Sequence, residues 1–221
     1  MTFSIVGRCP TTGQFGAVTA TSNVAVGARV AHCAAGTGAI VTQHRTDPRL
    51  GPRGLALLRS GCSAQETADA LVASSPHAQW RQIAVVDRAG RSAAFSGART
   101  RPEMSEAAGP DACAIGSILA NARVPAAMLR RFQAEPTAPL AERLMRALED
   151  GLAAGGEQGP VRSAHLVVVD TESFPLVDLR VDWHEQPVAE LRALWNRYAP
   201  NMGTYMLRAL HPDDPLSNTG P

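Results

Sequence analysis

Polar and apolar residues alternate from the second position of this chain, and several extended segments follow one another before any helix can be placed. Phe3 and Ile5 fall on one parity, and Thr2, Ser4 and Val6 on the other. The turn Cys9-Pro10-Thr11-Thr12-Gly13 then leads into a second extended run over 14–21. Successive strand side chains point to opposite faces, so this pattern predicts a β-hairpin at the start of the chain. Residues 23–35 and the run Ala39-Ile40-Val41-Thr42-Gln43 continue the extended character. Helical spacing first appears over 50–60 and 63–74, the second opened by the capping box Ser63-Ala64-Gln65-Glu66, with Gly61 ending the first. Strands over 81–87 and 92–95 flank a turn at Gly90, residues 98–111 read as a loop, and 112–119 as a strand. Helices over 124–132 and 140–154, strands over 164–169 and 176–181, and a helix over 187–198 complete the order. Strands and helices in separate runs predict an α+β layered domain over residues 1–198 rather than a doubly wound parallel sheet. Residues 199–221, proline-rich with little apolar pattern, read as a C-terminal tail.

Composition narrows the chemistry. Hydrophobic residues make up 45% of the 221 residues and aromatics 5%, so small aliphatic side chains must build the core. All 21 basic residues are arginine. Without lysine the chain lacks the amine that a phosphate-binding P-loop, a Schiff-base enzyme or a Ser-Lys dyad requires. A formal charge of +1 with no basic stripe argues against nucleic acid as a partner. No apolar run approaches the ~20 residues that cross a bilayer, which argues against a membrane. Four scattered cysteines, with no CxxC pair and no apolar leader, predict a reduced, cytoplasmic protein. Six dispersed histidines at no metal-ligand spacing predict no zinc, and no cofactor is called for. Gly36-Thr37-Gly38 lacks the third glycine of a dinucleotide fingerprint, and no Gly-x-Ser-x-Gly elbow is present.

Thr2 is the sharpest chemical feature. A threonine hydroxyl needs a base to take its proton, and an N-terminal threonine carries one in its own α-amine, whose ordinary pKa is about 7.7–8.0. Exposing it requires removal of Met1, which the small side chain of threonine favours.

The segments Thr2-Phe3-Ser4-Ile5-Val6-Gly7-Arg8, Ala25-Val26-Gly27, Gly38-Ala39-Ile40-Val41-Thr42-Gln43, Gly51-Pro52-Arg53-Gly54-Leu55, Arg81-Gln82, Val86-Asp87, Asp178-Leu179-Arg180-Val181-Asp182 and Pro187-Val188-Ala189-Glu190-Leu191 occur in that order. They resemble the bacterial domain of unknown function 1028 family, classed with the N-terminal nucleophile (Ntn) hydrolases, from residue 2 to about residue 198. The resemblance implies a four-layer αββα sandwich and hydrolysis of an amide bond, with Thr2 at the nucleophile position and no established substrate. Gly116-Ser117 resembles the Gly-Ser that assists the terminal amine in proteasome-type relatives, where this family more often has asparagine in place of Ser117. The proteasome-type lysine and early aspartate are absent, with Thr21 and Ser22 in the corresponding hairpin. The loop Gly155-Gly156-Glu157-Gln158-Gly159-Pro160 lacks the family's usual acidic and basic run.

Read from the residues themselves, Gln43 at a strand end is a candidate oxyanion donor. Ser22 or Asn23 can hydrogen-bond a free amine, and Arg180 beside Asp182 can pair a substrate carboxylate bidentately. The reading is therefore a cytoplasmic amidohydrolase of a small amide or short peptide. Its alternative is a catalytically inactive ligand-binding or assembly protein on the same fold, and a third reading makes Cys33 or Cys9 the nucleophile. Met202, Tyr205, Met206 and Leu207 in the tail predict a homo-oligomer.

Overall fold

A computed structural model describes residues 1–218 of the chain; residues 219–221, the end of the expected tail, lie outside the described residues. The chain opens with strands β1 (Thr2–Arg8), β2 (Phe15–Thr21), β3 (Ala31–Ala34) and β4 (Gly38–His44), then helices α1 (Leu50–Arg59) and α2 (Ala64–Ala73). Strands β5 (Arg81–Asp87), β6 (Ser92–Ser96), β7 (Met104–Gly109) and β8 (Ala112–Ser117) precede α3 (Val124–Ala134) and α4 (Leu140–Ala153). Strands β9 (Ser163–Val169) and β10 (Val177–Val181) and helices α5 (Pro187–Tyr198) and α6 (Met202–Leu210) follow. The α+β class expected from the segregated runs is what the chain adopts. Among the described residues no helix is long and apolar enough to cross a membrane.

All strand pairings are antiparallel and form two sheets, one ordered β10-β9-β2-β1-β8-β7 and the other β3-β4-β5-β6. The period-two alternation of β1 decides where each side chain goes. Phe3 and Ile5 join Leu144, Leu148, Phe132 and Leu191 in a core between the larger sheet and helices α3, α4 and α5. Val6 joins Ala17, Val41, Val86 and Ile115 in a second core between the two sheets. A third core packs Ile40 and Ile83 of the smaller sheet against Leu50, Leu58, Ala68 and Leu71 of α1 and α2. The low aromatic content fits a layer between sheets made largely of alanine and valine.

The predicted capping box is present, with the Ser63 side chain accepting from Glu66 N and the Glu66 carboxylate accepting from Ser63 N. Two expectations fail. The loop over 98–111 contains β7, an edge strand paired to β8 through a two-residue turn at Pro110 and Asp111. Its residues are half-exposed and carry no apolar alternation, so the pairing depends on the turn. Asp111 adopts φ 60° there, and its carboxylate pairs with Arg8 at 2.8 Å. The tail is likewise more regular than its composition suggests. α6 follows α5 through a short 3₁₀ turn, Ala199–Asn201, and lays Met202 and Met206 against the core formed with α5.

Helix α5 is fixed to α4 by a polar cluster at its edge. Glu142 accepts from Arg192 and from Trp195 Nε1, each at 2.7 Å, and from Arg146 Nε at 2.6 Å, while Arg192 also grips Glu149 at 2.8 and 2.9 Å. Burial opposes the charge on Glu142, but Arg192, Trp195 and Arg146 outweigh it and hold the carboxyl below its usual range. The stabilisation is therefore present above the unfolded-chain pKa of about 4.3 and is lost as pH falls below it. Glu142→Ala is expected to cost about 1–2 kcal/mol at pH 7 after solvent screening. Urea unfolding at pH 7 and pH 4 checks this: the penalty should shrink at the lower pH, and a pH-independent penalty would contradict the assignment.

Candidate active site

The layer between the sheets is apolar over most of its length and polar at one end. Thr2 and Ser4 on β1, Thr19 and Thr21 on β2 and Ser117 on β8 continue the parity of Val6, Ala17 and Ile115. Gln43 on β4 and Gln82 on β5 continue that of Val41 and Ala84 from the facing sheet. All seven are buried. Buried polar groups must find partners, and these find each other across the gap. Gln43 Nε2 donates to the Thr2 carbonyl at 3.1 Å and to Gln82 Oε1 at 3.0 Å, while Gln82 Nε2 donates to the Gly116 carbonyl and to Ser96 Oγ, both at 2.9 Å. Ser4 Oγ lies 2.6 Å from Gln43 Oε1 and 2.7 Å from Thr19 Oγ1; with one proton, it donates to the amide oxygen and accepts from Thr19.

This network holds the start of β1 level with the end of β8, and Thr2 pairs with Ser117 in the register. Thr2 Oγ1 lies 3.2 Å from Thr21 Oγ1, and both hydroxyls donate to the Met1 carbonyl. Beside Thr2 opens a cleft of about 380 Å³ lined by Asn23, Arg29, His44, Arg45, Thr46 and Arg81. His44 ends β4 at φ 72°, stacks on Trp80 with 6.3 Å between ring centroids, and places Nδ1 3.3 Å from Ser117 Oγ. Burial, then the positive charges of the chain amine, Arg45 and Arg81, push its pKa down, so the ring is neutral at pH 7 and able to accept a proton.

On the other side of Met1 lies Glu157. Gly155 and Gly156, at φ 126° and 58°, turn the chain sharply out of α4, and residues 156–158 then bond to the backbone at 118 and 120 beyond the end of β8. Only glycine adopts such a pair of conformations without strain. The turn drives Glu157 into the interior, where it is 5% exposed, and among the described residues neither carboxylate oxygen completes a hydrogen bond. Burial pushes its pKa up to about 7, against the Met1 amine and the nearby Ser22 hydroxyl and amide, which favour the charged form. Burial in turn lowers the Met1 amine, which Glu157 opposes and Arg45 reinforces.

The sequence-predicted residues divide accordingly. Thr2, Ser117, Ser22 and Asn23 gather around the start of β1. Gln43 lies beside them, but both of its amide protons are already bonded, so here it positions the Thr2 backbone instead of presenting a donor to an oxyanion. Arg180 on the edge strand β10 pairs at 3.3 Å with Asp182 just past its end, and neither lines the cleft. Cys33 is held protonated by burial and by Asp178, and Cys9 lies beyond Arg8, at the far end of β1 from Thr2. Among the described residues no group of three or more His, Cys, Asp or Glu side chains is placed to hold a metal. Sequence reasoning missed His44, Arg45, Arg81 and Glu157. His44 carries a faint signal in following Gln43 at a strand end, and Glu157 a clearer one in following a Gly-Gly helix stop.

A buried acid whose pKa is raised in the fold adds stability below its unfolded pKa of about 4.3, and that stability is lost as pH rises through about 7. Glu157→Gln should therefore raise the melting temperature by several degrees at pH 8 and change it little at pH 4. Calorimetric scans at the two pH values check this, and an equal shift at both would contradict the burial of the charge.

The chain matches the family model described as "Family of unknown function (DUF1028)" over residues 2–191. A crystal structure of protein SPO2555 from Silicibacter pomeroyi, described under the same family, is 28% identical, covering 90% of this chain and 89% of that one, with a TM-score of 0.82. Anbu (ancestral beta-subunit) from Yersinia bercovieri is 10% identical over 92% of this chain and 97% of that one, with a TM-score of 0.37. No curated protein matches. With a family model spanning most of its length and a same-family structure of the same fold, this chain belongs to the DUF1028 family.

Proposed function

We propose that the protein is an amidohydrolase of the Ntn type, a four-layer αββα sandwich whose nucleophile is Thr2 once the Met1–Thr2 bond is cut. The observation that carries this reading is the position of Thr2. Its hydroxyl and backbone nitrogen lie at the polar end of the inter-sheet layer, next to an open cleft, on a strand locked by Gln43. Thr2 Oγ1 attacks the substrate's amide carbonyl and its proton passes to the freed α-amine. The C–N bond breaks as that proton moves to the leaving amine, and water hydrolyses the ester left on Thr2. Burial lowers the pKa of the Met1 amine at this end of the layer, and the same burial would favour the uncharged form of an amine freed at Thr2, the form that acts as the base. Thr21 and Ser117 flank the reacting oxygen, and His44 steadies Ser117.

The carboxylate-pairing role expected of Arg180 passes in this reading to Arg45 and Arg81, which line the cleft. Arg81 Nε is buried and without a hydrogen-bond partner among the described residues. They suit an anionic leaving group, such as the carboxyl end of a short peptide.

Thr2→Ala should lower turnover of a cleaved amide by at least 10³-fold while leaving the unfolding midpoint within about 2 °C, and Thr2→Ser should retain measurable turnover. The check is amide hydrolysis by chains confirmed by intact mass to begin at residue 2. Equal rates in Thr2→Ala would refute the nucleophile and favour the inactive ligand-binding reading.

A further inference from the structure

Met1 shows what the ground beside the nucleophile is built to hold. Its carbonyl oxygen accepts from both Thr2 Oγ1 and Thr21 Oγ1, its side chain lies over Gly159, and Glu157, two residues before that glycine, is the carboxylate whose charge acts on its amine. An acyl group on the nitrogen of a threonine and one on its Oγ are separated by a five-membered ring, so the ester formed at Thr2 Oγ1 places its acyl group where Met1 lies. We infer that the acyl half of the substrate is an L-α-amino acid with a free amine, recognised by Glu157, with an apolar side chain directed past Gly159.

This rests on the reading of Thr2 as nucleophile for its turnover, but the recognition itself stands on three separate features. Glu157 is a nine-tenths-buried carboxylate whose oxygens complete no hydrogen bond among the described residues, with the Ser22 hydroxyl and amide nearby, an arrangement that costs stability unless a cation or further donor completes it. An ammonium supplies three donors to those oxygens. The Met1 side chain runs past Gly159, its Cε and Sδ at 3.6 and 3.7 Å from where a Cβ at that position would be, which is ordinary contact for a Cβ and leaves no space for a larger, branched side chain there. Glu157 and Gly159 also line an apolar cavity of about 350 Å³ with Leu152, Val161 and Val188, wide enough for a side chain longer than that of alanine. Arg45 opposes Glu157 at the amine, and it stands on the cleft side, where the leaving group would lie.

Recognition is separable from catalysis in a Thr2→Ala chain that begins at residue 2, made by cutting an N-terminal fusion immediately before that residue. Calorimetric titration with L-methioninamide should give saturable binding, and N-acetyl-L-methioninamide should bind at least tenfold more weakly. Adding Glu157→Gln should weaken L-methioninamide at least tenfold and leave the acetylated analogue unchanged, and Gly159→Val should weaken L-methioninamide more than glycinamide. Equal affinity for the free and acetylated amides, no binding of L-methioninamide at millimolar concentration, or indifference to Glu157→Gln in a chain that unfolds normally would each overturn the inference. Hydrolysis by the Thr2 chain reads out the other claim. Binding without hydrolysis would sink the nucleophile and leave the aminoacyl site; hydrolysis of acetylated amides alone would do the reverse.

Discussion

Two glutamine side chains, one from each inner strand of the smaller sheet, tie the two sheets together where their apolar layer ends. Gln43 takes the Thr2 carbonyl, Gln82 takes the Gly116 carbonyl, and the two amides bond to each other. Each such bond contributes about 0.5–1.5 kcal/mol net, but leaving one of these buried partners unmatched costs more, so the set holds as a unit. The consequence is positional. β1 and β8 cannot slip relative to the facing sheet without stranding several polar groups, and this keeps the Thr2 and Ser117 hydroxyls side by side. The apolar remainder of the layer, alanine and valine packed closely, supplies burial without specifying register. The polar end specifies it.

Charge is arranged around that fixed point with opposite signs on opposite sides. Arg29, Arg45 and Arg81 border the cleft, and Glu157 lies in the interior beyond Met1. Arginine suits the exposed side because its charge survives partial burial and its planar fork matches a carboxylate. Burial first, and then the chain amine, Arg45 and Arg81, lower the pKa of His44, so its ring is neutral at pH 7. A chain without lysine has no side-chain amine to use as a base.

Much of this architecture was legible in the residues. The parity of Phe3 and Ile5 against Thr2, Ser4 and Val6 is the division between the helix-facing and sheet-facing cores. The capping box at Ser63 and the helix from Pro187 to Tyr198 likewise stand where local signals place them. What escaped depended on distant partners. β7 has no apolar alternation because it lies at an edge, and it exists as a strand through its turn and its pairing with β8. α6 lacks a strong start signal and is held by contacts of Met202 and Met206 with the core. Arg180 and Asp182, read as a carboxylate clamp, stand at the edge strand β10 away from the cleft and pair with each other. Glu157 read as part of a degraded loop, because its burial is produced by the glycine pair before it and is invisible without the path of α4.

The account turns on Thr2 acting through its hydroxyl with a free amine behind it. Its most direct test is to expose a chain beginning at Thr2 to a β-lactone, which traps an activated hydroxyl as a stable ester, and to locate the adduct by peptide mass spectrometry. The account predicts one adduct, on Thr2, and none when Met1 is retained. Modification of Cys9 or Cys33 instead, or labelling indifferent to Met1, would contradict it.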